Sequence, residues 1–258
     1  MTVHVLNTRP QDRAQPLTHA LQMAGYQVSE LPLLAFDQLR LSAEQLQDLE
    51  QVATYDWVIV ISPLAAQLGL AQLQQLGLTL TTLPTRWLAV GQATATVLRQ
   101  AGLQPIVPCL ETSEGVVELS EITALQPDQR VLIWRGEGGR ELIQQTLRAQ
   151  QIFLRSVAFY RRVCPPNVWA DWQAIVRQNG VPDVVLISSG EAWRHWQQTM
   201  GQDATAPWLL VLGQRVYRQL AQSTRRLSVL ENLQPKTICA ALALLVHADE
   251  LTQDTDSR

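Results

Sequence analysis

The sequence predicts an α/β protein of two similar lobes, each a parallel β-sheet flanked by helices. The first observation behind this is an internal repeat. Val5-Leu6-Asn7-Thr8-Arg9-Pro10 and a following helical stretch recur as Leu132-Ile133-Trp134-Arg135-Gly136 and its helix. One constant offset, without gaps, carries Arg9 onto Arg135, Leu17 onto Ile143 and Leu21 onto Leu147. A second unit, Asp56 to Ser62, recurs as Asp183 to Ser189, and Trp87 to Gln92 recurs as Leu209 to Gln214. The order is A, B, A′, B′, and self-similarity of this kind fixes an architecture before any local reading does. The second observation is the alternation of short apolar runs with helical periodicity, which builds parallel sheets with helices on both faces. The third is length: 258 residues suit two domains. A cleft between two such lobes is where a ligand is expected.

Val3–Asn7 reads as a buried strand, followed by a helix from Asp12 to Ala24 with Ala14, Leu17 and Leu21 on one face. Pro16 is expected near the first turn, since proline further in disrupts a helix. Val28–Leu34 is a strand interrupted by Pro32, and Leu41–Val52 a helix capped by Ser42. Trp57–Ile61 is a continuous apolar run, as in a strand covered on both faces. Ser62-Pro63 opens the next helix, with proline at its favoured first position. Trp87–Val90, Gly91 and a helix over 92–100 repeat the strand–turn–helix pattern, and Ser113 is expected to cap a helix running to Leu119. The second half reads as strand 131–135, helix 140–149, strand 152–159, helix 168–178, strand 183–188 and helix 190–199. Strand 208–212, helix 214–221, strand 227–230 and helix 235–246 follow, with a frayed polar tail from Ala248. Leu31–Phe36 and Val157–Val163 each follow an A unit. Repeat order alone leaves open whether A packs with B or with B′; in the second case these segments become a pair of crossings between lobes.

Composition excludes several functions. Cys109, Cys164 and Cys239 are far apart and form no C-x-x-C, so they read as small apolar fillers rather than a disulfide scaffold or zinc site. His4, His19, His195 and His247 show no ligand spacing, and no metal is expected. The longest apolar run, Ile238 to Val246, is too short for a membrane span, and no signal pattern opens the sequence, so a cytoplasmic protein is expected. A net charge of −3 argues against nucleic-acid binding. Lys236 is the only lysine, and between Arg130 and Arg162 seven arginines face two acids, Glu137 and Glu141. Guanidinium groups suit a carboxylate- or phosphate-bearing ligand. Gly136-Glu137-Gly138-Gly139 lacks the Gly-Lys-Ser/Thr of a phosphate loop, so nucleotide binding is rejected.

Four strand-to-helix turns, Ser62-Pro63, Gly91-Gln92, Ser189-Gly190 and Gly213-Gln214, should lie at the carboxyl ends of parallel strands, where α/β ligands collect. Backbone N–H groups there bind anions. Arg9 and Arg135 occupy equivalent positions and so should face a shared site.

These residues, in this order, resemble the uroporphyrinogen-III synthase family. The similarity runs through Thr8-Arg9-Pro10, Ala24-Gly25, Leu31-Pro32, Asp56 to Ser62-Pro63 and Ala89-Val90-Gly91-Gln92-Ala93-Thr94. It continues through Ser113-Glu114-Gly115, Arg135-Gly136 to Arg140, Tyr160 and Ser189-Gly190, covering Val3 to about Val246. The resemblance implies that A joins B′. Domain one would then be 1–36 plus 163–258 and domain two 37–158, with linker strands at about 31–37 and 157–163 pairing as a ladder. It implies closure of hydroxymethylbilane, a polycarboxylate, to uroporphyrinogen III through an azafulvene and a spiro intermediate, with no cofactor and as a monomer. Substrate contacts are expected at Thr8, Arg9, Ser62, Gly91, Thr94, Ser113, Arg135, Gly136, Ser189 and Gly213. Tyr160 is the proposed proton donor, since a phenol holds its proton at neutral pH. Family members often keep a threonine where this chain has Val216, so a contact there would need backbone N–H or Arg215. The rival reading is a non-catalytic bilobal ligand-binding or sensor protein. It would want a signal peptide or a helix-turn-helix domain, and neither is visible in the sequence.

Overall fold

The computed structural model describes residues 2–80, 83–139, 141–205, 207–224 and 226–255, with side chains over the same ranges up to Leu245 apart from Asp12. The chain divides into two compact units, Met1–Ala35 with Val163–Arg258, and Phe36–Arg162. It opens with β1 (His4–Asn7), α1 (Gln11–Met23) and β2 (Gln27–Glu30). The second unit follows with β3 (Ala35–Gln38), α2 (Ala43–Glu50), β4 (Trp57–Val60), α3 (Pro63–Gln75), β5 (Arg86–Ala89) and α4 (Gln92–Gln100). It continues through α5 (Ser113–Val117), α6 (Ser120–Thr123), β6 (Arg130–Gly136), α7 (Leu142–Ala149) and β7 (Phe153–Val163). The chain returns to the first unit with α8 (Val168–Asn179), β8 (Val184–Ile187), α9 (Gly190–Met200) and β9 (Trp208–Leu212). It ends with α10 (Gln214–Leu220), β10 (Leu227–Leu230) and α11 (Pro235–Thr255).

Each unit holds one five-stranded sheet, in the order β10-β9-β8-β1-β2 in the first and β3-β7-β6-β4-β5 in the second. β1 pairs in parallel with β8, and β6 with β4, so each A copy joins a B copy across the sequence rather than two A copies joining. The strand order β9-β8-β1-β2 is thus repeated as β5-β4-β6-β7, with one extra strand at opposite ends. β3 lies beside β7, where the Leu39 N–H donates to the Phe159 carbonyl at 2.8 Å and Asp37 meets Arg161 at 2.8 Å. Partner numbers fall as β3 advances, the antiparallel sense.

The repeated aspartates explain why both B units begin as they do. The Asp183 carboxylate accepts the His4 backbone N–H at 2.8 Å, and the Asp56 carboxylate accepts that of Arg130 at 2.7 Å. Their carbonyls accept from Trp208 and Arg86, each at 2.9 Å. Each aspartate therefore ties the starts of three adjacent strands, satisfying backbone donors that would otherwise be stranded at the sheet end. The apolar runs that follow are wholly buried, in both β4 and β8. In the second unit Trp134 is fully buried, edge-on to Trp87 and Phe159. α3 approaches it through Gly69, where an added Cβ would lie 2.4 Å from the Trp134 ring.

Several expectations are corrected. Pro16 is the sixth residue of α1, inside the helix rather than at its start, and is exposed. Val28–Leu34 is not one strand: β2 ends at Glu30, Leu31 and Leu33 still donate their N–H groups to the Asn7 and Thr8 carbonyls at 3.0 and 3.2 Å, and the chain re-enters a strand only at Ala35, in the other sheet. Thr112, not Ser113, caps α5, accepting the Gly115 N–H at 3.2 Å. The expected helix to Leu119 ends at Val117, and a second short helix, α6, follows from Ser120. β7 runs unbroken through Val163, and α11 continues to Thr255 instead of fraying from Ala248. Cys109 is exposed and fills no core, whereas Cys164 and Cys239 pack against the first unit's core.

Two measurements test this packing. Gly69→Ala should destabilise the protein by about 1–3 kcal/mol, the usual cost of overpacking, read as a lowered urea midpoint with unchanged slope. His4 is buried with Nε2 2.8 Å from Ser29 Oγ, and burial lowers its pKa against the opposing pull of Asp183. The neutral ring is thus the folded form. Its contribution should be complete above the unfolded value of about 6.5 and decline as pH falls below it, because the unfolded chain takes up the proton first. Urea midpoints measured across that range should fall less steeply for His4→Gln.

Candidate functional site

In the second unit, four parallel strands end at one place. Ser62 follows β4, Gly91 follows β5, Arg135 and Gly136 end β6, and Tyr160 lies on β7. A cavity of about 240 Å³ opens there, lined by Ile61, Ser62, Val90, Arg135, Gly136 and Tyr160. Glu111, Thr112, Ser113, Gly138, Gly139 and Arg162 complete its walls.

Tyr160 owes its position to the backbone. β6 and β7 run in register to Arg135 opposite Ala158, then a bulge sets Gly136 opposite Tyr160. The slip puts Phe159 and Tyr160, consecutive residues that a regular strand would point to opposite faces, into the same core, at 3% and 4% exposure. The Tyr160 ring lies over Gly136, where a Cβ would sit 2.6 Å from two ring carbons. Phe36 meets the ring edge-on, with centroids 5.3 Å apart. The phenol oxygen is 3.0 Å from Ser62 Oγ. Ser62 Oγ also accepts the Ala65 N–H at 3.1 Å as the cap of α3, so its position is set by the helix and its own proton is available to donate.

Charge in the cavity is mostly positive. Arg135 donates from Nε to the Gly136 carbonyl at 3.1 Å and from a terminal nitrogen to the Gly138 carbonyl, so the guanidinium is folded onto its own glycine-rich turn. Burial lowers its pKa, with Glu141 opposing and Arg148 and Arg162 adding to the fall. An arginine stays cationic despite such a shift. Arg162 is the second guanidinium in the walls, and Glu111 is the single acid among the described lining residues. Such an arrangement sets two guanidiniums and two hydroxyls around one space, chemistry suited to an anionic group.

The other predicted residues fall elsewhere. Gly91 caps α4 and touches Glu111, while Thr94 is buried within α4 and is not among the lining residues. Thr8, Arg9, Ser189 and Gly213 belong to the first unit, at the carboxyl ends of β1, β8 and β9. Thr8 is fully buried and donates to the Leu186 carbonyl at 2.5 Å, so its hydroxyl braces β1 against β8 rather than facing outward. Ser189 caps α9 by accepting the Ala192 N–H at 3.1 Å, as Ser62 does for α3. Gly213 precedes α10 with φ 79°, which glycine adopts readily. Arg140 lies outside the described residues. Val216 is 3% exposed, as is its repeat counterpart Thr94, and its side chain packs into the first unit's core. Sequence reading misses Glu111, Thr112 and Arg162. Arg162 stands within the arginine surplus; Glu111 carries no signal, because a loop acid shows no period.

The family model described as uroporphyrinogen-III synthase HemD matches residues 15–231. The uroporphyrinogen-III synthase of Synechococcus elongatus is 28% identical over 79% of this chain and 77% of its own length. That of Salmonella typhimurium is 29% identical over 76% and 79%, respectively. A crystal structure of a mutant uroporphyrinogen III synthase from the extreme thermophile Thermus thermophilus shares the fold with TM-score 0.64 at 16% identity, covering 95% of this chain and all, 100%, of that one. The Helicobacter pylori enzyme structure gives TM-score 0.58 at 13% identity, with the same coverage of 95% and 100%.

The glycine under Tyr160 can be tested without any substrate. Gly136→Ala should cost about 1–3 kcal/mol in wild-type background and far less in a Tyr160→Ala background, a coupling that a double-mutant cycle by urea unfolding measures. Equal costs in both would remove the steric account of the phenol's position.

Proposed function

The chain belongs to the uroporphyrinogen-III synthase family, and from that premise we propose that it closes hydroxymethylbilane to uroporphyrinogen III, with loss of water and inversion of ring D. The observation that carries the mechanism is the buried Tyr160 phenol, 3.0 Å from Ser62 Oγ, in a cavity walled by two guanidiniums. The linear substrate bears eight carboxylates and closes unaided to the wrong isomer. The protein's task is therefore to hold the chain's ends in one geometry and exclude the competing closure.

In this reading Arg135 and the N–H groups following Ser62 and Ser189 take substrate carboxylates, with Arg9, Gly91, Ser113, Gly136 and Gly213 contributing contacts or room for them. Thr8 and Thr94, both buried, support these positions through packing. Tyr160 gives its proton to the departing hydroxyl as the carbon–oxygen bond breaks, leaving the azafulvene as its N-protonated cation, water and the Tyr160 phenolate. The azafulvene carbon is attacked by the substituted carbon of ring D, forming the spiro intermediate. That intermediate opens and recloses at the free position of ring D. The proton lost as ring D regains aromaticity restores the phenol, so no net proton is consumed. Ser62, fixed as a helix cap, holds the phenol until substrate replaces it as partner. No step calls for a metal or an organic cofactor.

The proposal extends to a monomer acting in the cytoplasm, with the segments near 31–37 and 157–163 as linkers between two domains. No helix among the described residues is long and apolar enough to cross a membrane.

The deciding assay supplies hydroxymethylbilane and separates the type I and type III products. Wild type should yield type III; type I alone would refute ring inversion. Tyr160→Phe should lower kcat by about 10²-fold, the usual worth of one general acid, with KM little changed. Full turnover by this variant would assign the proton to another donor.

A further inference from the structure

We infer that Glu111 weakens the cavity's hold on polycarboxylates, by occupying the N-terminus of α4 and presenting the single negative charge among the described lining residues. The identity of the ligand rests on the reading above; the role of Glu111 does not depend on which reaction follows.

The Glu111 carboxylate accepts the Gln92 N–H at 2.9 Å, at the first turn of α4. Gly91, the residue that precedes this helix, has no side chain to cap it. A Cβ there would lie 2.4 Å from the Glu111 carboxylate oxygen, so any larger residue at 91 would eject the carboxylate. The loop carrying Glu111 is held on both sides. Thr112 caps α5, and Gly115 packs so closely on the Leu110 carbonyl that a Cβ would lie 2.0 Å from it. The loop backbone is thus fixed on both sides, and the exposed Glu111 side chain reaches from it to the Gln92 N–H. At the turns opening α3 and α9, by contrast, the serine preceding the helix supplies its own neutral hydroxyl.

The electrostatic consequence follows from position. A helix N-terminus favours an anion, and Glu111 already supplies one. A ligand carboxylate entering beside Arg135 and Arg162 must either displace Glu111 or accept its repulsion. Either way, affinity falls below what the two guanidiniums alone would give. For an enzyme whose substrate and product both carry eight carboxylates, such a charge limits uniform tight binding, which would not speed the chemical step.

The test uses the full-length protein and uroporphyrin III, a stable octacarboxylate, with binding read from tryptophan fluorescence at fixed ionic strength. Glu111→Gln keeps an oxygen for the Gln92 N–H and removes only the charge. Its Kd should fall about two- to fivefold, the range expected for one charge at a helix terminus. The difference should shrink as salt rises. Glu111→Asp keeps the charge and should stay near wild type. An unchanged or weaker Kd for Glu111→Gln, in protein whose melting temperature matches wild type, would make Glu111 a structural cap only and overturn the inference. The isomer assay on wild type judges the reaction separately: type I product alone would sink that reading while tighter binding by Glu111→Gln still upheld this one.

Discussion

The pairing of β1 with β8 joins the two chain segments of the first unit, which exists only because of it. Val5, Leu6 and Asn7 lie in register with Val184, Val185 and Leu186, and Asp183 holds the His4 N–H across 179 residues. β1 stands between β8 and β2, so without this contact the sheet would split into a three-stranded piece and a lone parallel pair. The second unit meets no such demand: Phe36–Arg162 is contiguous, and its strands β4 to β7 are complete before α8 begins. Contacts of large sequence separation carry the higher closure entropy, so the contiguous unit is the one equipped to form first.

The duplicated framework then carries unequal chemistry. Both copies use an aspartate to gather three strand ends and a serine hydroxyl to cap the helix after the B strand. These are solutions to backbone problems, so both copies keep them. The glycine turns differ: Gly91 hosts Glu111, while Gly213 turns through positive φ with no side-chain cap on α10. The arginines differ as well. Arg135 folds onto the carbonyls of its own glycine-rich turn; Arg9 is followed at once by Pro10, which starts α1. Identical placement in the repeat fixes where a residue sits in the sheet, not what its side chain touches.

That distinction explains what can be read from the sequence. The apolar runs of β4 and β8 declare themselves because burial on both faces leaves no room for polar residues. Ser42 and Ser62 declare helix starts because capping is local chemistry. Thr112 and Ser113 cannot be told apart as caps, because either hydroxyl satisfies the same local rule. In the cavity, Arg135, Gly136, Ser62, Ser113 and Tyr160 are legible through repeat, turn and family pattern, and the structure brings them to one cavity. Glu111 is not, since only the fold brings its loop to α4. Nor is the bulge that sets Tyr160, because one skipped pairing leaves no mark in a run of apolar residues.

Tyr160 shows why such unreadable features matter for mechanism. Three things hold its ring: the slipped register at Gly136, the absent side chain beneath it and the edge of Phe36. None involves the phenol oxygen. The ring is therefore fixed by packing, and the hydroxyl can exchange its partner without the ring moving. Ser62, anchored as a helix cap, is that partner in this structure. In the proposed reaction, a proton donor held this way would meet the departing hydroxyl already oriented, with no rotamer left to search and little reorganisation at the moment of bond breaking. Placing the rigidity in the carbon skeleton and the freedom in the proton would let one phenol serve a proposed task whose main work is holding a flexible polyanion in a single shape.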